Sequence, residues 1–255
     1  MSTTYGVGEL SALNGVMGSR AHRLPVFHIV GMPSERIQRL GLPTHHNLGD
    51  NVYDRFQSIS ASACCVSAVL TPENAVEELE RVIREALRQS KPAYIVISEL
   101  SGYSPILGEP VKGFPLKDME RQKSSPDELE AAVKSINKKL KGASNPVAIV
   151  TGLLRRYGVT ELATEFITRT NLPYAQTAND KSTLDESLPQ YRGIYAGDMS
   201  SPLEVQQFVE KTDLLIEIGC IVKTELNMGM WSAHIDCIDQ DNCIAIHDNW
   251  VQVGR

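Results

Sequence analysis

Two adjacent histidines, His45 and His46, stand in THHNLGD between Pro43 and Gly49. Imidazole titrates near neutral pH and is the side chain most often used to carry a proton in catalysis. In a loop, neighbouring side chains need not diverge as they do on a strand, so both rings can face one cavity. A solvated surface pair is the plainer alternative. A second candidate lies in STTYGVGEL near the N-terminus. Thr3, Thr4 and Tyr5 favour an extended chain, Gly6 and Gly8 allow a tight turn with close backbone approach, and Val7 between them is small and apolar. A strand, a glycine turn and a helix start in that order place free N–H groups at the edge of a parallel sheet, where open α/β sheets bind ligands. GxG alone is a weak signal, and an ordinary βα connection shows the same pattern.

The elements that must position these groups follow from periodicity. Leu10, Leu13, Val16 and Met17 recur at helical spacing after the glycine turn, and Pro25 introduces a strand over Val26 to Val30. Pro33 and Ser34 open a short helix toward Leu40. After the histidines, Val52 to Phe56 reads as a polar helical stretch and Cys64 to Leu70 as a strand. Thr71 and Pro72 suit a helix start, but Asn74 stands where a capping box takes Glu or Gln, so no box is expected. Ala75, Leu79, Val82, Ile83, Ala86 and Leu87 line one helix face, and Ala93 to Ile97 form a buried-strand run. From Ser101 to Ser125 the period dissolves, which marks a linker. Beyond it, Ser125 caps a helix carrying Leu129, Ala132, Val133, Ile136 and Leu140. Strand candidates then fall at Val147 to Val150, Tyr174 to Thr177, Leu214 to Ile218 and Ile244 to His247. Alternating strands and helices imply an α/β fold with a mostly parallel, doubly wound sheet.

At 255 residues, 42% of them hydrophobic, the chain can build one or two packed domains. A net charge of −6 with no long basic run provides no electrostatic footprint for nucleic acid or an acidic membrane. Apolar runs such as Val147 to Val150 are too short to span a bilayer, and no basic and apolar leader opens the sequence, so a cytoplasmic protein is expected. The five cysteines are odd in number and poorly spaced for a metal or a disulfide framework, and Cys64 with Cys65 reads as packed, reduced thiols. Gly152 and Gly219 end strand runs without a following GxGxxG, which argues against a dinucleotide. Asp185 and Glu186, ahead of Pro189, read as loop or capping carboxylates, and His234 and His247 fit no catalytic motif.

Taken together, TTYGVGELSALNGVMGS, VFHIVGMPS and HHNLGD resemble the pyruvate decarboxylase family, the thiamine diphosphate-dependent 2-oxo acid decarboxylases that include indolepyruvate decarboxylases. LTPENAVEELERVIREAL, NDKSTLDESLPQYRGIYAGDMSSP and DLLIEIG extend the resemblance over nearly the whole chain. It implies a partial pyrimidine-binding domain over residues 1–105, a linker over 106–124 and a doubly wound central domain over 125–255, with the C-terminal diphosphate-binding domain absent. It also implies thiamine diphosphate and Mg2+ as cofactors, the former acting as electron sink while a 2-oxo acid loses carbon dioxide and becomes an aldehyde. Carried over by position, Thr4 and Val7 would help form the pyrimidine pocket, and His45 and His46 would be the proton-handling pair.

Two of the family's essentials have no counterpart. The glutamate that activates the cofactor lies upstream of the threonine pair, at a position that would precede Met1, and Glu9 belongs to the GVGEL motif itself. The Gly-Asp-Gly start of the magnesium-diphosphate site is also missing, because Gly49 with Asp50 and Gly197 with Asp198 lack its context; no metal ligand is assigned. The chain is therefore expected to be truncated at both ends and inactive alone. A noncatalytic remnant that binds a full-length homologue and one piece of a split enzyme are the alternatives. The expected partners are a 2-oxo acid, pyruvate by default, and either further copies of the chain or a homologous subunit.

Overall fold

A computed structural model describes residues 1–107, 123–219, 227 and 240–254. Backbone contacts divide the chain into two compact units, residues 1–122 and 123–255.

The first unit runs β1 (Ser2–Thr4), α1 (Val7–Ala21), β2 (Phe27–Met32), α2 (Glu35–Arg39), α3 (Arg55–Ser62), β3 (Val66–Leu70), α4 (Ala75–Gln89), β4 (Ala93–Ser98) and α5 (Glu99–Tyr103). The strands form a parallel sheet in the order β1-β2-β4-β3, with Thr3 opposite Val30 and Val30 opposite Val96. Strand β2 alternates, burying His28, Val30 and Met32 while Ile29 is exposed, and inner strand β4 is buried at nearly every position. Tyr5, Val16, Val30, Tyr94 and Val96 fill one core cluster, whereas Val82 and Ala86 of α4 pack with Val66, Ala68, Ala93 and Ile95 in another. Burying a Val side chain contributes roughly 1.5–3 kcal/mol. The exposed pairs Arg81–Glu78 and Arg88–Glu85 on α4 add about 0–1 kcal/mol each, so its apolar face holds the helix in place.

Three local expectations shift. Tyr53 is not helical: its hydroxyl donates to the Leu42 carbonyl at 2.5 Å, which anchors the loop, and α3 begins at Arg55 and extends past Phe56 to Ser62. The strand after it begins at Val66, because Cys64 N–H closes a turn on the Ala61 carbonyl. The next helix starts at Ala75 with Asn74 at its N-cap and no side-chain cap bond, so no box forms there; Thr71 lies in the turn before it, where Asn74 Oδ1 accepts from Thr71 N–H at 2.8 Å and Asn74 N–H donates to Thr71 Oγ1 at 3.4 Å. Of the segment from Ser101 to Ser125, α5 takes the first residues and 108–122 lie outside the described residues.

The second unit runs α6 (Pro126–Gly142), β5 (Pro146–Val150), α7 (Leu153–Arg156), α8 (Thr160–Thr170), β6 (Tyr174–Gln176), β7 (Tyr191–Ile194), α9 (Glu204–Glu210), β8 (Leu214–Ile218), β9 (Cys243–Ile246) and β10 (Val251–Val253). Its sheet order is β10-β9-β8-β5-β6-β7, parallel except for the β9–β10 pair. The chain moves outward from β5 in one direction through β6 and β7 and then in the other through β8 and β9, which is the doubly wound arrangement. Val147 and Ile149 point into one apolar cluster and Ala148 and Val150 into the other, as expected for a strand covered on both faces. No helix among the described residues is long and apolar enough to cross a membrane.

Candidate functional site

The carboxyl edge of β1 turns through Tyr5 and Gly6 into α1. Gly6 sits at φ 61°, ψ −114°, a conformation open to glycine and costly for other residues. Its N–H donates to Glu9 Oε1 at 2.9 Å, the half of a capping box that needs no side chain at the cap. Its missing side chain also has a definite use. A Cβ at Gly6 would lie 1.6 Å from the His46 carbonyl oxygen.

The histidine loop thus rests directly on the glycine turn. Val7 N–H donates to the His46 carbonyl at 3.3 Å, and the Tyr5 hydroxyl donates to the His45 carbonyl at 2.6 Å. The Tyr5 ring meets the His46 ring edge-on with centroids 5.9 Å apart. His46 itself holds a left-handed backbone at φ 72°, a strained state that persists because surrounding contacts enforce it. Thr44 lies within 3.1 Å of the Tyr53 hydroxyl, and Asn47 bonds both Thr44 and Gly49 N–H, which bends the loop so that both rings are exposed, 6.3 Å apart. Thr4 and Val7 are exposed at the same turn, with the Thr4 methyl packed where a Cβ on Gly8 would sit. The structure therefore brings the backbone of the histidine pair onto the turn that carries Val7 and follows Thr4.

Sequence reasoning missed the groups beneath this turn. Glu9 is fully buried, and its Oε2 accepts from the Ser60 hydroxyl and the Tyr94 hydroxyl, each at 2.7 Å. Burial, then the Glu9 bond and charge, push the Tyr94 phenol far up, so it stays a donor. His28 is also fully buried, with Nε2 2.9 Å from Thr3 Oγ1 and its ring edge-on to Tyr94; burial lowers its pKa against the opposing pull of Glu9. The one available signal was Glu9 itself, three residues after a glycine cap.

Other candidates lie elsewhere. Cys64 is buried and its thiol is pushed up to about 11 by desolvation first; Cys65 rises for the same reason. Gly152 N–H, at the end of β5, already donates to Asp180 Oδ1 at 2.7 Å, so a carboxylate of the protein holds the donor that a dinucleotide fold would offer a diphosphate. Asp185 accepts from Ser187 N–H and Oγ, and Glu186 from Ser182 N–H, both in a loop-capping manner. His247 stacks on Trp250 at 3.7 Å, and His234 lies outside the described residues. Among the described residues, no three His, Cys, Asp or Glu side chains gather as a metal set.

A family model described as "Thiamine pyrophosphate enzyme, central domain" matches residues 133–255, which includes the whole β5–β10 sheet. A putative pyruvate decarboxylase of Schizosaccharomyces pombe is 33% identical over 256 residues, taking in 98% of this chain and 43% of that protein. The chain belongs to the thiamine diphosphate-dependent decarboxylase family. Pyruvate decarboxylases of Kluyveromyces marxianus and Aspergillus terreus are 30% and 33% identical, each again over 98% of this chain and 43% of the relative. The chain thus spans less than half the length of the curated relatives it matches.

Within this family the cofactor has a flat, methylated aminopyrimidine and a charged diphosphate. The turn tests as a partial fit. Exposed apolar Val7, 54% accessible, and the Thr4 methyl and hydroxyl at one sheet edge suit a wall of the ring.

Proposed function

We propose that this chain supplies one wall of the pyrimidine pocket and the central domain of a nonoxidative 2-oxo acid decarboxylase that converts pyruvate, or a related 2-oxo acid, to an aldehyde and carbon dioxide. Residues 1–105 would form the pyrimidine-side part and 125–255 the central domain. The observation that carries this reading is the seating of the His45–His46 loop on the Tyr5–Val7 turn, in a chain of this family. Thiamine diphosphate, when bound with Mg2+, supplies the electron sink for loss of carbon dioxide. Val7 and Thr4 would bind and orient its ring. His45 and His46, exposed on a loop whose backbone is fixed, would hold and deliver a proton at the reacting carbons.

Glu9 does not serve as the activating acid. Its two oxygens already accept three hydrogen bonds and it has no access to solvent. As part of a longer decarboxylase, the 255-residue chain would turn over a 2-oxo acid only when further chains, whether copies or a homologous subunit, complete the site. Calorimetry with thiamine diphosphate and magnesium, beside a coupled aldehyde assay with pyruvate and indolepyruvate, tests this. The expected results are no saturable binding at micromolar concentration, meaning less than about 8 kcal/mol, and no aldehyde above buffer. Stoichiometric binding with turnover would overturn the predicted incompetence, whereas failure of every full-length assembly containing this chain to decarboxylate any 2-oxo acid would overturn the reading itself.

A further inference from the structure

The geometry points to Glu9 as a positioning residue for the histidine pair, acting through the Gly6 turn; this rests on the reading of His45 and His46 as the proton-handling groups. A carboxylate in an apolar interior is costly unless donors surround it. Glu9 gathers three, from three elements: Gly6 N–H in the turn, Ser60 on α3 and Tyr94 on β4. Two of these fix the carboxylate to the core, and the third fixes Gly6 to the carboxylate.

The consequence reaches the surface in one further bond. With the Gly6 N–H held inward, the next amide, Val7 N–H, is presented to the His46 carbonyl, and the space left by the glycine is filled by that same oxygen. Tyr5, on the other side of Gly6, holds the His45 carbonyl. Both carbonyls of the pair are therefore gripped by residues 5–7, and the centre of that grip is bonded to Glu9. A group that merely filled the cavity would not orient the Gly6 N–H. An acceptor is required at the Oε1 position.

That requirement separates positioning from bulk stability. In Glu9→Gln the amide oxygen can take the Gly6 N–H, while the amide N–H groups can donate to the Ser60 and Tyr94 hydroxyls after these rotate. In Glu9→Ala no acceptor remains. Hydrogen exchange at Val7 N–H and the ring resonances of His45 and His46, measured by NMR on the full chain, read the grip directly. Glu9→Ala is expected to speed Val7 exchange about tenfold and shift the His46 ring signals, and Glu9→Gln to leave both at the parent's values. Core amides of Val30 and Val96 should change far less than Val7. If Glu9→Ala fails to fold, Tyr94→Phe, which loosens the carboxylate without touching Gly6, should speed Val7 exchange about threefold. Unchanged Val7 exchange in a folded Glu9→Ala or, failing that, in Tyr94→Phe overturns the proposal. So does equal loss of protection at Val7, Val30 and Val96 in both Glu9 variants, because that is a stability effect alone. Decarboxylation is scored separately in a full-length assembly: no aldehyde from the parent assembly would sink the enzyme reading while the Val7 and His46 signals still decide the role of Glu9.

Discussion

Gly6→Ala tests the architecture of the site at its tightest point. The new methyl would stand 1.6 Å from the His46 carbonyl oxygen, which must retreat by roughly 1.5–2 Å to reach ordinary van der Waals distance. That movement breaks the Val7 to His46 hydrogen bond, a loss of about 0.5–1.5 kcal/mol. The positive φ adds about 1–2 kcal/mol for a residue with a Cβ. Together these destabilise the first unit by about 1.5–3.5 kcal/mol, which at a urea slope of about 1–3 kcal/mol per molar lowers its midpoint by roughly 0.5–3.5 M. Gly15→Ala is the internal control. It lies on the same helix with nothing within 4 Å of the added methyl, so it should stabilise by about 0.5–1 kcal/mol. Pulsed thiol labelling of buried Cys64 during urea unfolding reports on this unit alone. A Gly6→Ala midpoint equal to the parent's, or shifted in the same direction as Gly15→Ala, would refute the claim that the turn and the histidine loop share this space.

In a chimera that carries residues 1–255 in place of the matching stretch of a full-length relative, His45→Ala or His46→Ala should lower aldehyde turnover by roughly 10²- to 10⁴-fold; unchanged rates in both variants would remove the pair from the mechanism. Burial lowers the His28 pKa, so the folded chain binds its proton less readily than the unfolded chain does. The stability contributed by neutral His28 is therefore complete above about pH 6.5 and is lost as pH falls through the lower folded value. His28→Gln should flatten the acid side of the urea midpoint curve, and an identical curve would show that another group is responsible. Cys64, raised from 9.0 to about 11, should carry about a hundredfold less thiolate than an ordinary thiol at neutral pH. Iodoacetamide should leave it unmodified in the native chain and alkylate it in urea, and rapid native labelling would contradict its burial.

Much of the scaffold was legible because its periods are clean. The run Val147 to Val150 is apolar at consecutive positions and becomes a strand buried on both faces, while α4 shows apolar residues at helical spacing and buries Val82 and Ala86. Helix α3 was harder to read. Its buried positions are Phe56 and Ser60, one turn apart, and a serine does not register as a core residue until its carboxylate partner is known. The start of α4 was placed too early at Thr71: Asn74 Oδ1 takes the Thr71 N–H at 2.8 Å in a turn of its own, and the helix begins only at Ala75.

The site was legible as two motifs and not as one object. The glycine turn read as a place where a backbone could approach closely, and the approaching group is the carbonyl of His46, forty residues further along the chain. Nothing in the local pattern of either segment encodes that contact, because it depends on β1 pairing with β2 and on the loop after α2 returning over the sheet edge. Glu9 is the extreme case. Its partners Ser60 and Tyr94 are 51 and 85 residues away, and a lone Glu in an amphipathic helix reads as solvated until those hydroxyls are brought beneath it. A charge at this depth is tolerated only where its bonds are complete. The Glu9 network thus ties the Gly6 turn to the core, and the backbone carbonyls of His45 and His46 rest on that turn.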